Sequence, residues 1–302
     1  MKKELIFIGL GRMGIAMVER LLDHGYTVHS FDTDRAARQS AAAAGARNYG
    51  SLSDAIAAMP GRKLIWLMIP SQFVDDVLKE AQTTLHEGDI LIDGGNSFFK
   101  DTQRRAQTLA DQRLVFVDCG TSGGVGGARQ GASLMIGSPL DTYSDIEPLF
   151  ADLAAPHGYA RVGTTGAGHF TKMVHNGIEY GMMGAIAEGV SYLEASEPDL
   201  GINLQAALGP YQHGSIISSR LLDWLVAAYE KEGYLASIAG EVPRGETESE
   251  MEYIAQTGRT PVLQAALTQR QTTREKPSRV GTLLAAMRNQ FGGHKTIKKE
   301  GE

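Results

Sequence analysis

The chain predicts an α/β fold: an N-terminal doubly wound parallel sheet followed by an all-helical C-terminal domain. Two observations carry this. Short apolar runs alternate with helical segments through the first half, as a parallel sheet covered on both faces requires. After the Gly-rich segment Gly163-Thr164-Thr165-Gly166 no further strand-like run follows, and long helical stretches take over. The boundary is expected at 164/165, giving domains 1–164 and 165–302.

Leu5 to Gly9 reads as the first strand, followed by a Gly-rich turn and a helix to about His24. Thr27 to Phe31 is the next strand. Further strands are expected at Leu64 to Ile69, Asp89 to Ile92, Leu114 to Val117 and Leu134 to Ile136, with helices between them at Phe73 to Ala81 and Thr102 to Ala110. In the second half, helices are expected from about His169 to Glu194, then at Ser218 to Lys231, Glu248 to Gln256, Pro261 to Thr273 and Val280 to Gln290. The polar tail, Lys295 to Glu302, is expected to fray.

At 302 residues the chain can build two domains with substantial cores. The net charge of −6 argues against a nucleic-acid partner, which would call for a basic surface. An anionic substrate would then need a local cationic pocket. The single cysteine, Cys119, excludes an intrachain disulfide and reads as a small buried residue after the apolar run Leu114 to Val117. One unpaired thiol and eleven methionines fit a reducing compartment, so a cytoplasmic location is expected. The sequence suggests no signal peptide, membrane span or metal-ligand cluster.

Gly9-Leu10-Gly11-Arg12-Met13-Gly14 matches G-x-G-x-x-G in the context that gives the motif meaning, between a strand and a helix. This is the phosphate-binding turn of a Rossmann-type domain. Gly9 makes the tight turn, Gly11 lets the backbone approach a pyrophosphate, and Gly14 lets helix pack on strand. The helix N-terminus adds unpaired N–H groups and a positive dipole end. Asp32 ends the second strand, 18 residues after Gly14. A carboxylate there accepts hydrogen bonds from the ribose hydroxyls of NAD and repels the 2′-phosphate of NADP. Asp34 adds negative charge nearby, and Arg35 could stack on adenine or offset part of that repulsion. NAD is the expected cofactor.

The densest chemical signal runs from Gly168 to Tyr180. Lys172, His175, Asn176, Glu179 and Tyr180 stand at i, i+3, i+4, i+7 and i+8, within an arc of roughly 140° on a helix. One face thus carries a base candidate, an acid candidate and three hydrogen-bonding groups, while Met173, Val174 and Ile178 are expected to pack elsewhere. A solvated stripe would favour more Glu, Lys and Gln. Gly166, Gly168, Gly177, Gly181 and Gly184 weaken the helix, which makes sense where another backbone or a ligand must come close. Two loops at the carboxyl edge of the sheet can serve the same ligand: Asp93-Gly94-Gly95-Asn96-Ser97 and Thr121-Ser122-Gly123-Gly124. Ser122 and the N–H groups of Gly123 and Gly124 can bind a carboxylate, and Asn96 can reach the substrate or the nicotinamide.

These three segments resemble the signature segments of 6-phosphogluconate dehydrogenases. Gly168-x-x-x-Lys172-x-x-x-Asn176 is shared with the wider β-hydroxyacid dehydrogenase superfamily, and Ile178-Glu179-Tyr180 narrows the resemblance to its decarboxylating branch. The length is similar to that of the short, NAD-dependent form. Arg288-Asn289-Gln290-Phe291-Gly292-Gly293-His294 resembles the family's closing motif, and Arg270 stands where the family places an arginine for the substrate phosphate.

The resemblance implies that Lys172, neutral by virtue of a lowered pKa, takes the C3 hydroxyl proton as hydride leaves C3. It then stabilises the enolate left by CO2, and Glu179 protonates C1 of the enediol to give a ketopentose. Asn96, Ser122, Gly123, Gly124, His175 and Asn176 would hold the sugar acid; Tyr180, Arg270, Arg288 and His294 would hold the group on C6. A C-terminal segment that reaches the partner's site implies a homodimer. The sequence departs from the family at Arg244-Gly245-Glu246-Thr247-Glu248-Ser249-Glu250-Met251-Glu252, where four glutamates replace a basic, aromatic stretch. The C6 group therefore stays open between phosphate and a monoanion such as sulfonate. A non-decarboxylating enzyme of the superfamily, acting on an acid such as 3-hydroxyisobutyrate, would share Lys172 but has no need of Glu179, Tyr180 and the C-terminal Arg–His pair.

Overall fold

The computed structural model describes residues 2–245 and 247–299. Its contacts divide the chain into two compact units, Met1–Met173 and Val174–Glu302. In chain order the first unit builds β1 (Glu4–Ile8), α1 (Arg12–Asp23), β2 (Thr27–Phe31), α2 (Arg35–Ala44), the two-residue β3 (Arg47–Asn48), α3 (Leu52–Ala58), β4 (Leu64–Leu67) and α4 (Val74–Ala81). It continues with β5 (Ile90–Asp93), α5 (Phe99–Ala110), β6 (Val115–Ser122), α6 (Gly124–Gln130), β7 (Ala132–Gly137), α7 (Leu140–Leu153) and β8 (Ala154–Gly163). The long α8 (Ala167–Ala195) starts in this unit and crosses into the second, which adds α9 (Glu197–Leu200), α10 (Leu204–Gln212), α11 (Arg220–Tyr229), α12 (Glu248–Ala255), α13 (Pro261–Glu275) and α14 (Arg279–Gly292).

The eight strands form one sheet in the order β3-β2-β1-β4-β5-β6-β7-β8. From β3 to β6 all pairs are parallel. The order reverses between β1 and β4, the switch point beside which ligands bind at the carboxyl ends of the strands. The inner strands are buried on both faces, which is why β1, β4 and β5 read as continuous apolar runs rather than alternating ones. Phe7 stacks on Trp66 and Trp66 tilts against Phe150, the large side chains at the middle of this core. Cys119 is fully buried there, and burial pushes its thiol far above the usual range, so it is a packing residue.

The sheet departs from the expected all-parallel arrangement at β7, which runs antiparallel to β6. Only the segment 123–131 joins them, shorter than the dozen or so residues a parallel crossover needs. Two strands escaped the pattern. β3 has two exposed residues. β8 is an edge strand with Pro156 and a register shift, and its half-exposed residues carry no apolar alternation.

The second unit is helical, as expected. Leu222 and Leu225 of α11, Leu283 and Leu284 of α14, and Met183 of α8 form its core. Ser219 and Ser278 cap α11 and α14 by accepting the N–H groups of Leu222 and Gly281. The tail is more ordered than expected through residue 299: Lys298 pairs with Ile238 in an isolated bridge, and the Lys299 N–H donates to the Ser237 carbonyl. The rest of that tail lies outside the described residues.

Candidate functional site

The Gly-rich turn has the form a dinucleotide needs. Gly9 adopts φ +95°, and a side chain there would collide with the Met68 carbonyl. A side chain at Gly14 would collide with the Gly9 carbonyl, so helix and strand touch at this point. Gly11, between them, faces open space, and no side chain caps α1. A pyrophosphate can therefore approach the backbone of Leu10 to Met13 and the N–H groups of Arg12, Met13 and Gly14. Asp32 is tied into the same turn: its Oδ2 accepts the Leu10 N–H (2.6 Å) and its Oδ1 accepts the Asp34 N–H (2.7 Å). Each oxygen keeps a lone pair for a ribose hydroxyl. Arg38 Nη1 donates to the Asp32 and Thr33 carbonyls, and Arg35 is exposed.

Two loops stand at the carboxyl edge. Asp93, fully buried, accepts the Gly95 N–H (3.1 Å) and the Ser97 hydroxyl (2.7 Å), which fixes half-buried Asn96 between them. Arg105 of α5 braces that loop through Ser97 Oγ and lies 3.7 Å from Asp93. Ser122 ends β6, and Gly123 (φ +120°) turns the chain into α6. The Thr121 hydroxyl donates to the Gly94 carbonyl (3.3 Å), tying one loop to the other.

Along α8, Lys172, His175 and Glu179 are half-buried, while Asn176 and Tyr180 are buried. His175 Nδ1 lies 3.4 Å from Asn176 Oδ1. Met173 packs inward, while Ile178 is 54% exposed. The helix's glycines make room for a neighbour: a side chain at Gly177 would strike Leu263 of α13, and one at Gly184 would strike Gln269. This close approach brings Arg270 of α13 over the Tyr180 ring, 3.3 Å from its centroid.

A cationic end results. Arg270 is 3% exposed and Arg288 is 7% exposed, and among the described residues neither forms a salt bridge. Arg270 Nη2 meets Met183 Sδ (3.4 Å), while its Nε has no partner. Burial holds its guanidinium down to about 10, and the neighbouring Arg288 charge acts the same way. Arg288 is lowered as well, again mainly by burial. It donates to the Pro243 carbonyl (2.8 Å). Thr247, which no sequence pattern singles out, has its hydroxyl 3.0 Å from that of Tyr180. His294 is exposed and edge-on to Phe291, which packs on Trp224.

Two of the four glutamates in the acidic stretch are paired with arginines. Both oxygens of Glu248 accept from Arg274 (2.9 and 2.7 Å), and this pairing lowers its carboxyl. Glu252 pairs with Arg244 (3.2 Å). Glu250 is buried, and Glu246 lies outside the described residues.

Comparison with known proteins fits this geometry. Residues 4–168 match the family model described as the NAD binding domain of 6-phosphogluconate dehydrogenase, and residues 168–197 match its C-terminal domain. The chain is 36% identical over 302 residues to an NAD(+)-dependent, decarboxylating 6-phosphogluconate dehydrogenase of Haloferax volcanii, covering 98% of this chain and 99% of that one. It is 38% identical over 295 residues to YqeC of Bacillus subtilis, which carries a provisional 6-phosphogluconate dehydrogenase name, with 97% and 98% covered. Two solved structures share the fold. The 6-phosphogluconate dehydrogenase of Plasmodium falciparum has a TM-score of 0.80 at 24% identity, covering 90% of this chain and 62% of that one. A 3-hydroxyisobutyrate dehydrogenase of Mycobacterium tuberculosis has a TM-score of 0.72 at 20% identity, covering 95% and 100%. The chain belongs to the 6-phosphogluconate dehydrogenase family, and its first domain is that family's NAD-binding domain.

Proposed function

We propose that the protein oxidises and decarboxylates 6-phosphogluconate with NAD, releasing CO2 and a ketopentose. The observation that carries this is the buried pair Arg270 and Arg288. Two cations withdrawn from water without carboxylate partners are costly unless an anion completes them. Tyr180 and Thr247 add hydroxyl donors beside them. Phosphate is favoured over sulfonate at C6 because Glu248 and Glu252, two of the four glutamates that would oppose a dianion, are held by Arg274 and Arg244. A small acid such as 3-hydroxyisobutyrate would leave both arginines unanswered.

The bound nicotinamide supplies the hydride acceptor. Lys172 takes the proton from the C3 hydroxyl, and as CO2 leaves it returns a proton to the enolate oxygen. Glu179, seven residues on along the same helical face, protonates C1 of the enediol, the former C2 of the sugar acid, as Lys172 takes the hydroxyl proton back and the ketopentose forms. Asn96, Ser122, Gly123, Gly124, His175 and Asn176 hold the sugar acid, with Asn176 orienting the reacting hydroxyl; Arg270, Arg288 and Tyr180 hold the C6 group, and His294 is a further candidate there. Steady-state kinetics with NAD on 6-phosphogluconate, 6-sulfogluconate and gluconate, with CO2 measured, test this. The first should be the best substrate and gluconate the poorest; equal kcat/KM on all three would remove the anion pocket from the mechanism.

NAD is expected to give the higher kcat/KM, because Asp32 meets the 2′ position with a carboxylate already fixed by two N–H groups. Replacing Asp32 by Ser should narrow that preference by 10-fold or more, about 1.4 kcal/mol, the scale of one charged contact. A wild-type enzyme faster with NADP would refute this assignment.

The protein is also proposed to be a homodimer. Ile178, Met182 and Tyr192 of α8 are exposed, as are Ile216 and Ile217 before α11, apolar area that a second copy would cover. Sedimentation equilibrium should give twice the chain mass, and Ile216→Asp with Ile217→Asp should shift it toward the monomer. No helix among the described residues is long and apolar enough to cross a membrane.

A further inference from the structure

A buried carboxylate that takes no part in the proposed chemistry lies under the start of α8. Asp118, in β6, is fully buried. Its Oδ1 accepts the Gly166 N–H (2.5 Å), and its Oδ2 accepts the His169 N–H (2.7 Å). Gly166 immediately precedes α8 and His169 lies in its first turn, where N–H groups have no partners within the helix. Serine or threonine, the ordinary caps, would satisfy one of them; a carboxylate satisfies both and also meets the positive end of the helix dipole.

The packing at this point leaves no slack. A side chain at Gly168 would strike the Met135 carbonyl and Asp118 itself, so the helix lies directly on β6 and β7. A methyl group at Gly120 would stand 2.5 Å from Lys172 Cβ. The strand that carries Asp118 thus also supports the stem of Lys172, four residues beyond Gly168. Burial raises the Asp118 carboxyl, and Asp93, its register neighbour on β5, adds to this; His169 and the two N–H groups act the other way. Arg105 of α5 stands behind Asp93, Thr102 of α5 holds His169 Nδ1 (2.7 Å), and Cys119 follows on β6.

We propose that Asp118 is a positioning residue for Lys172: its carboxylate bolts the first turn of α8 to β6 and so sets where the lysine amine stands. This rests on Lys172 being the base. The isosteric Asp118→Asn offers one acceptor and sets an amide N–H against a backbone N–H, so the turn must shift. A displacement near 1 Å can cost about 100-fold in rate. We therefore expect kcat to fall about 10- to 100-fold, with KM for the sugar acid and Kd for NAD within about 2-fold.

Amide hydrogen exchange supplies a readout independent of substrate. In the wild type Gly166 and His169 should exchange slowly; in Asp118→Asn they should exchange at least about 10-fold faster, while α1 is unchanged. Unchanged kcat, or a fall in kcat with KM rising alongside, overturns the proposal. If Asp118→Asn does not fold, the wild type decides, since fast exchange at Gly166 and His169 overturns it too. A wild type inactive on every sugar acid but with the expected exchange pattern would refute the proposed function and leave the bolt in place.

Discussion

Lys172→Met is expected to abolish turnover while NAD still binds with its normal affinity. The substitution keeps an unbranched stem, which matters because Gly120 presses on Lys172 Cβ and a branched residue would displace the helix. What is lost is the amine alone. Removing a positioned general base costs about 10²- to 10⁴-fold, and here the same group serves twice, at the C3 hydroxyl and at the enolate oxygen, so the upper part of that range is expected. NAD affinity should not change, because the phosphate turn and Asp32 lie at the other side of the sheet's switch point, on β1 and β2. Isothermal titration with NAD and single-turnover absorbance of NADH separate the two effects. A mutant that retains a tenth of the wild-type rate would show that another group takes the proton.

The parts of this molecule that follow local periodicity were legible in the sequence. The Gly-rich turn, the inner strands and the helical second domain each have a pattern that repeats within a few residues, and the polar face of α8 shows itself at helical spacing. Features set by partners far along the chain were not. The antiparallel β7 depends on the length of one connection, and β8 is an edge strand held by register rather than by composition. Thr247 looked like part of an acidic run until its hydroxyl was found beside Tyr180. Glu248 looked like an obstacle to phosphate, since the arginine that neutralises it lies 26 residues away. Nothing near Asp118 in the sequence marks it, and only the fold shows that it receives the start of a helix about 50 residues later.

Arg270→Met should produce opposite effects on activity and stability. Arg270 is 3% exposed, stacks on Tyr180 and touches Met183, so a methionine of similar length fills its place among apolar neighbours. The guanidinium is costly in the free protein: burial depresses it to about 10, Arg288 repels it, and its Nε lacks a partner. Replacing a buried charge of this kind by a well-packed apolar group is often neutral or stabilising by about 1–4 kcal/mol. The melting temperature of the free enzyme should hold or rise. Activity should move the other way. A planar fork gives up to two charge-assisted hydrogen bonds to a phosphate, each worth about 1.5–3 kcal/mol, so kcat/KM for 6-phosphogluconate should fall by about 10²- to 10⁴-fold. Gluconate, with no anion at C6, should be much less affected, so the ratio of the two specificities collapses. Thermal melts and paired kinetics on both substrates check this. A mutant that melts well below the wild type and loses both substrates equally would make Arg270 a structural residue and leave Arg288 as the sole cation of the pocket.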